Sequence, residues 1–142
     1  MRRLRALPAI AAAIGLCVGA CGAALAQTYP SRPIKVIVPT PASGPVDVMA
    51  RLTAHHLSLL IGQNVIVDNR AGAGNTIGSR EAARAEPDGY TLLFSSASGL
   101  VISPLLYKNL DYDPIKSYAP IAPATDSPLV LVANPAVPGR SL

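Results

Sequence analysis

An apolar run, Ile34-Lys35-Val36-Ile37-Val38, stops at Pro39-Thr40-Pro41-Ala42-Ser43-Gly44, and helical periodicity begins immediately beyond it. Strand, Pro/Gly/Ser loop and helix in that order leave few folds open. A run that is apolar at nearly every position suits a strand covered on both faces, as in a parallel sheet. From Pro45 onward, Val46, Met49, Ala50, Thr53, Leu57 and Leu60 recur at helical spacing, with Pro45 suited to the first helical position and Gly62 to the C-terminal cap. The spacing predicts a helix over Pro45–Ile61. The first turn of such a helix has N–H groups without intrahelical partners and carries the positive end of the macrodipole. The loop before it is therefore suited to hold a carboxylate or phosphate without a cationic side chain.

The pattern then repeats. Val65-Ile66-Val67 reads as a short strand between Asn64 and Asp68, reached by a tight connection as a right-handed crossover requires. A glycine-rich loop, Asn69 to Asn75, leads to a helix expected over Thr76–Ala85, which the Pro87-Asp88-Gly89 turn ends. Tyr90 to Phe94 gives a third strand. The order β-α-β-α-β is half of a doubly wound α/β fold with a mostly parallel sheet, whose ligands sit beyond the carboxyl ends of the strands. Ser95-Ser96-Ala97-Ser98-Gly99 lies at another such end and opens a short helix over Leu100–Tyr107. Leu110 to Pro123 reads as a surface loop, and Leu129 to Val132 as a further strand.

Residues 1–26 read as a secretory signal: Arg2, Arg3 and Arg5 precede an apolar run from Ala9 to Ala20 and an A-x-A cleavage pattern at Ala24-Leu25-Ala26. Val18-Gly19-Ala20-Cys21 loosely resembles a lipoprotein box. It lacks the usual leucine, and the A-x-A site lies further on, so export as a free periplasmic protein is preferred to lipid anchoring at Cys21. The formal charge of +4 falls to +1 once the three signal arginines are set aside, so no nucleic-acid footprint remains. Both cysteines, Cys17 and Cys21, lie in the signal, which leaves the mature part without a disulfide, a thiol nucleophile or a cysteine metal site.

Motifs for nucleotide chemistry fail. Gly72-Ala73-Gly74-Asn75-Thr76-Ile77 has isoleucine where the dinucleotide fingerprint needs its third glycine, and the Lys-Ser/Thr pair of a P-loop is missing. These glycines read better as a tight turn and a close backbone approach. Asp47 can cap free N–H groups in the first helical turn or contact the ligand; pointing inward it would repel a bound carboxylate, which argues that it orients the loop. His55 and His56 are adjacent on a helix and cannot readily clamp one metal. The serines at 95, 96 and 98 lack a nucleophile-elbow pattern and read as binding donors. Arg70 is either a carboxylate partner or a structural arginine. No cofactor, metal or catalytic residue is expected.

Several segments together resemble the periplasmic receptors of tripartite tricarboxylate transporters, the Bug family. They include Tyr29-Pro30-Ser31-Arg32-Pro33-Ile34, Gly44-Pro45-Val46-Asp47, Asn69-Arg70-Ala71-Gly72-Ala73-Gly74 and Pro87-Asp88-Gly89-Tyr90-Thr91-Leu92-Leu93. The match continues through Pro104-Leu105-Leu106-Tyr107, Tyr112-Asp113-Pro114 and Leu131-Val132-Ala133-Asn134-Pro135. The resemblance implies a type II periplasmic-binding-protein-like fold whose two lobes close on a small organic anion, a di- or tricarboxylate, for delivery to membrane permease subunits. It implies a first lobe over 27–128 and the start of the crossover to a second lobe over 129–142. Thr40, Pro41, Ala42, Ser43, Gly44 and Asp47 would then form the first-lobe pocket, Ser95, Ser96 and Ser98 a second wall, and Gly72, Gly74 and Asn75 the rim. Where the family usually reads Pro-Phe-Pro-Pro-Gly-Gly, this chain reads Pro39-Thr40-Pro41-Ala42-Ser43-Gly44, which adds two hydroxyls and removes an aromatic ring. Family members are about twice as long, so the chain is expected to be an N-terminal portion that is weakly stable and binds poorly alone. Two alternatives belong to other classes: a fragment of an α/β nucleotide-dependent enzyme, and a lipid-anchored binding module.

Overall fold

The computed structural model describes residues 28–126, Pro128, residues 130–132 and Asn134. The expected export signal, with Cys17 and Cys21, lies outside the described residues, as does Leu129. Strand β1 (Ile34–Val38) is central in a three-stranded parallel sheet, with β2 (Val65–Asn69) on one side and β3 (Thr91–Leu93) on the other. Helix α1 (Pro45–Ile61) connects β1 to β2, and α2 (Thr76–Ala83) connects β2 to β3. Because the two crossovers run in opposite directions along the sheet, right-handedness puts the two helices on opposite faces.

The residues of β1 account for that arrangement. Val36 and Val38 pack with Ala50 and Val46 of α1 and with Val65, Val67, Leu92 and Phe94. Lys35 and Ile37, pointing the other way, line the α2 face beside Ile77 and Glu81. Ile37 and Val38 are completely buried, as a strand covered on both faces requires. Lys35 alone interrupts the run, and its ammonium pairs with Glu81 Oε1 of α2 at 3.1 Å.

Helix α1 has the predicted limits, with Gly62 in the left-handed region (φ 68°) and its N–H on the Ser58 carbonyl. Four elements differ from expectation, and the smallest difference is β3, one residue shorter at each end than the expected Tyr90–Phe94. Strand β2 runs two residues further, to Asn69, because its pairing with β1 continues to Val38 and the Arg70 N–H donates to the Val38 carbonyl at 2.8 Å. Helix α2 stops at Ala83: the Arg84 N–H is shared between the Arg80 and Glu81 carbonyls, and Ala85 bonds to Ala82, a tightened last turn. The helix expected over Leu100–Tyr107 is a π turn, Ser98–Ile102, running into a short α3 (Ser103–Leu106).

One expectation fails further along the chain, and one expected loop is anchored at two points. Val130 to Val132 form no strand; they have no ladder partner among the described residues and stand exposed. Leu110 to Pro123 is, as expected, a surface loop, held down at two tyrosines. The Tyr112 hydroxyl donates to the Gly99 carbonyl at 2.6 Å, Tyr118 donates to the Ser79 carbonyl at 2.7 Å, and the two rings meet edge to face. Large apolar side chains, among them Val101, Leu105 and Leu106, stand exposed along the π turn and α3. No described helix is long and apolar enough to cross a membrane.

Candidate ligand-binding site

Three loops leave the carboxyl ends of the three parallel strands. The first runs from Pro39 to Gly44. Its start is pinned by α2: a Cβ on Gly78 would lie 2.9 Å from Pro39 Cα and from the Arg70 carbonyl oxygen, so only glycine lets the helix sit there. Ser43 is held at φ 68°, and Gly44, the N-cap of α1, is extended with no side-chain cap. The amides of Val46 and Asp47 in the first turn have no intrahelical acceptor.

Asp47 is buried; its carboxylate takes no backbone N–H of its own helix, as capping would require, and instead orients the loop before it, the second role expected of it. At the third helical position its carboxylate reaches back past the N-cap. Oδ2 accepts the Ser43 N–H at 2.8 Å and Arg51 Nε at 3.0 Å, and Oδ1 accepts Asn69 Nδ2 at 2.9 Å. Asn69 also donates to the Thr40 carbonyl at 3.1 Å, and its Oδ1 accepts Arg51 Nη2 at 2.9 Å. The Arg51 guanidinium, ahead of the Ser43 amide, holds the Asp47 carboxyl down at about 2, although burial acts in the opposite direction. Thr40 Oγ1 is buried and has no hydrogen-bond partner.

The second loop places Ala73, Gly74 and Asn75 in the left-handed region (φ 45°, 64° and 73°). Its Gly74 carbonyl accepts the Ser103 hydroxyl at 2.6 Å, and a Cβ on Gly74 would lie 3.2 Å from the Tyr107 ring. The third loop carries Ser95 and Ser96, half-buried, and Ser98, exposed. The second and third loops meet at Gly99, where a Cβ would lie 3.0 Å from both Ser79 Oγ and Ser95 Oγ and 3.3 Å from Asn75 Cβ.

The expected residues thus fall into two groups. Thr40, Ser43 and Asp47 are joined through Asn69; Asn75 and Ser95 converge around Gly99, with Gly74 nearby against Ser103 and Tyr107. Pro41 and Ala42 are exposed at the tip of the first loop. Arg70 is a structural arginine, paired with Asp68 at 2.9 Å and Glu81 at 3.4 Å. His55 and His56 are exposed, and no cluster of His, Cys, Asp or Glu that could hold a metal occurs among the described residues. A cavity of about 510 Å³ opens on the α2 face between Lys35, Ile77 and Arg84, and none of the expected ligand residues lines it. Arg51 and Asn69 lie outside the expected set of site residues. Arg51 had a visible signal, its i,i+4 spacing from Asp47; Asn69 had none beyond being polar after an apolar run.

A parallel sheet with three loops at the carboxyl ends of its strands, the edge from which α1 starts without a side-chain cap, matches the first lobe of periplasmic binding proteins, and solved structures agree. A structure described as a periplasmic transporter superposes with a TM-score of 0.61 at 49% identity, over 62% of this chain and 30% of the other. MatC from Rhodopseudomonas palustris with bound malate gives 0.60 at 34% identity, over 63% and 30%. An R. palustris protein solved with adipate gives 0.53 at 33% identity, over 61% and 29%. The chain belongs to the family described as "Tripartite tricarboxylate transporter family receptor", whose profile matches residues 49–142. It is 50% identical over 112 residues to a UPF0065 protein of Bordetella bronchiseptica, covering 79% of this chain and 33% of that protein. It is 45% identical over 128 residues to BugT of Bordetella pertussis, covering 87% and 39%. The chain therefore spans between a third and two fifths of these relatives' length.

Proposed function

We propose that the chain supplies the anion-binding first lobe of an extracytoplasmic solute receptor. It is exported to the periplasm and passes a small di- or tricarboxylate to the membrane permease subunits of a tripartite tricarboxylate-type transporter. It carries out no catalysis. One observation carries the reading: neutral donors leave the carboxyl ends of three parallel strands, the edge at which α1 begins with no side-chain cap, and among them the buried Thr40 hydroxyl lacks a partner that a ligand oxygen would provide. Contacts to the ligand are assigned to Thr40, Pro41, Ala42, Ser43 and Gly44, with Ser95, Ser96 and Ser98 opposite and Gly72, Gly74 and Asn75 at the rim. Asp47 serves by shaping the loop. The malate and adipate held by two structural relatives support a dicarboxylate.

The test is calorimetric titration of the exported protein, purified from the periplasm of the cell that makes it, with malate, adipate and citrate. One of these binds and raises the melting temperature. Uptake of a nucleotide with no response to any carboxylate would overturn the reading.

A further inference from the structure

We propose that Asn69 is the positioning residue of the anion site, an inference that rests on the receptor reading above. Its side-chain amide uses every group it has: Nδ2 donates to Thr40 O and Asp47 Oδ1, and Oδ1 accepts from Arg51. A flipped amide would set oxygen against a carbonyl and a carboxylate and NH2 against a guanidinium, so only one orientation closes the ring. Asp47 completes it by taking the Ser43 N–H and Arg51 Nε. Two segments far apart in sequence are tied at one point: the end of β2, and the loop after β1 with the first turn of α1 that follows it.

The tie has two consequences for an incoming carboxylate. Ser43 stays in the left-handed region while its amide is committed to Asp47, so the peptide ahead of the N-cap is fixed and the first-turn amides of α1 are left for the ligand. Arg51, held by both Asp47 and Asn69, also offsets the negative charge that Asp47 would otherwise present beside the ligand. Without Asn69 the loop would have to be ordered at the moment of binding, at a cost in affinity. Asn69 thus acts through Thr40, Asp47 and Arg51 and needs no contact with the ligand.

Malate titrations of the exported wild type, Asn69→Asp and the exchanged double variant D47N/N69D test this, with melting curves beside them. In N69D two carboxylates face each other, and affinity falls about tenfold or more. In the exchanged variant the amide at position 47 donates to the carboxylate at position 69 and Arg51 still bridges them, but the Thr40 carbonyl loses its donor and faces a carboxylate oxygen, so affinity recovers only part of the loss, to about threefold below wild type. A purely structural Asn69 would lower the melting temperature of N69D and leave the affinity of the folded protein unchanged; that result overturns the proposal. Should N69D not fold, Asn69→Ala, which removes the tie without adding a charge, decides: a folded variant about tenfold weak supports the proposal, and one that binds as wild type overturns it. A wild type that binds no malate, adipate or citrate removes the receptor reading and this inference with it, whereas equal binding by wild type and N69D removes this inference alone.

Discussion

The Asn69 side-chain amide meets the Asp47 carboxylate at 2.9 Å, joining the last residue of β2 to the first turn of α1. Two elements that the sheet alone would leave independent at this edge are thereby connected, at a point where Asp47 is almost inaccessible to solvent. Such a carboxylate is tolerated because each of its oxygens is hydrogen-bonded and an arginine faces it.

Replacing Asp47 by alanine leaves the Ser43 N–H, the Asn69 amide and the Arg51 guanidinium without their acceptor. The loss is about 2 kcal/mol at neutral pH, measured by urea denaturation. The pH dependence has a definite sign. The Asp47 carboxyl lies at about 2 in the folded protein against an ordinary 3.8, so the unfolded chain takes up its proton first on acidification. Its stabilising contribution is complete above about pH 4 and is lost as pH falls toward 2. Asp88, beside the Tyr90 amide, and Asp113, beside the amides of Ile115 and Lys116, are also lowered and act in the same direction. D47A therefore shows a flatter decline between pH 4 and pH 2 than wild type, and equal slopes would refute the assignment.

The architecture was legible because β1 is apolar at consecutive positions, which only burial on two faces explains, and because Pro45 and Gly62 bracket α1 chemically. The ring around Asp47 was not. Asn69 lies 22 residues from Asp47 and 29 from Thr40, and nothing local to an Asn-Arg pair after a strand specifies such partners. The apolar run itself pointed to an end at Val67, two residues short. Tyr112 and Tyr118 escaped for the same reason: a proline-dense segment reads as solvated until the carbonyls that its hydroxyls reach, on Gly99 and Ser79, are known.

Two α2-facing positions on β1 should respond oppositely to substitution. Ile37 is fully buried, and Ile37→Ala costs about 3 kcal/mol through lost transfer energy and the cavity left behind. Lys35 is partly exposed in its pairs with Glu81 and Asp68, where solvent weakens the attraction, so Lys35→Met changes stability by less than about 1 kcal/mol. Denaturant midpoints at matched salt decide it. A larger loss from the lysine than from the isoleucine would mean that the ionic cluster, not the apolar seam, holds α2.

Burial, with Tyr112 nearby, pushes the Tyr118 hydroxyl above the usual tyrosine range. Folded protein thus keeps that proton when an unfolded chain releases it near pH 10, and stability declines as pH rises beyond that point. Absorbance titration at the phenolate band should show one late-ionising tyrosine that disappears in Tyr118→Phe. The same variant loses about 1 kcal/mol with its bond to the Ser79 carbonyl. If all tyrosines of the wild type ionise together, the segment carrying Tyr118 is not docked on α2 in solution.

Thr40 offers the sharpest separation of stability from binding. Its hydroxyl is buried without a partner, so in the unliganded protein it imposes a desolvation cost and returns no hydrogen bond. Thr40→Val keeps the branched shape and removes that group, and the free protein gains about 1 kcal/mol. Under the receptor reading the same hydroxyl is satisfied by the ligand, so affinity for the bound carboxylate falls about tenfold. Melting temperature and dissociation constant then move in opposite directions: the variant is more stable empty and weaker in binding. A hydroxyl of purely structural importance gives the reverse, a less stable protein whose folded fraction binds as before. A variant unchanged in both would place the ligand away from the β1–α1 loop.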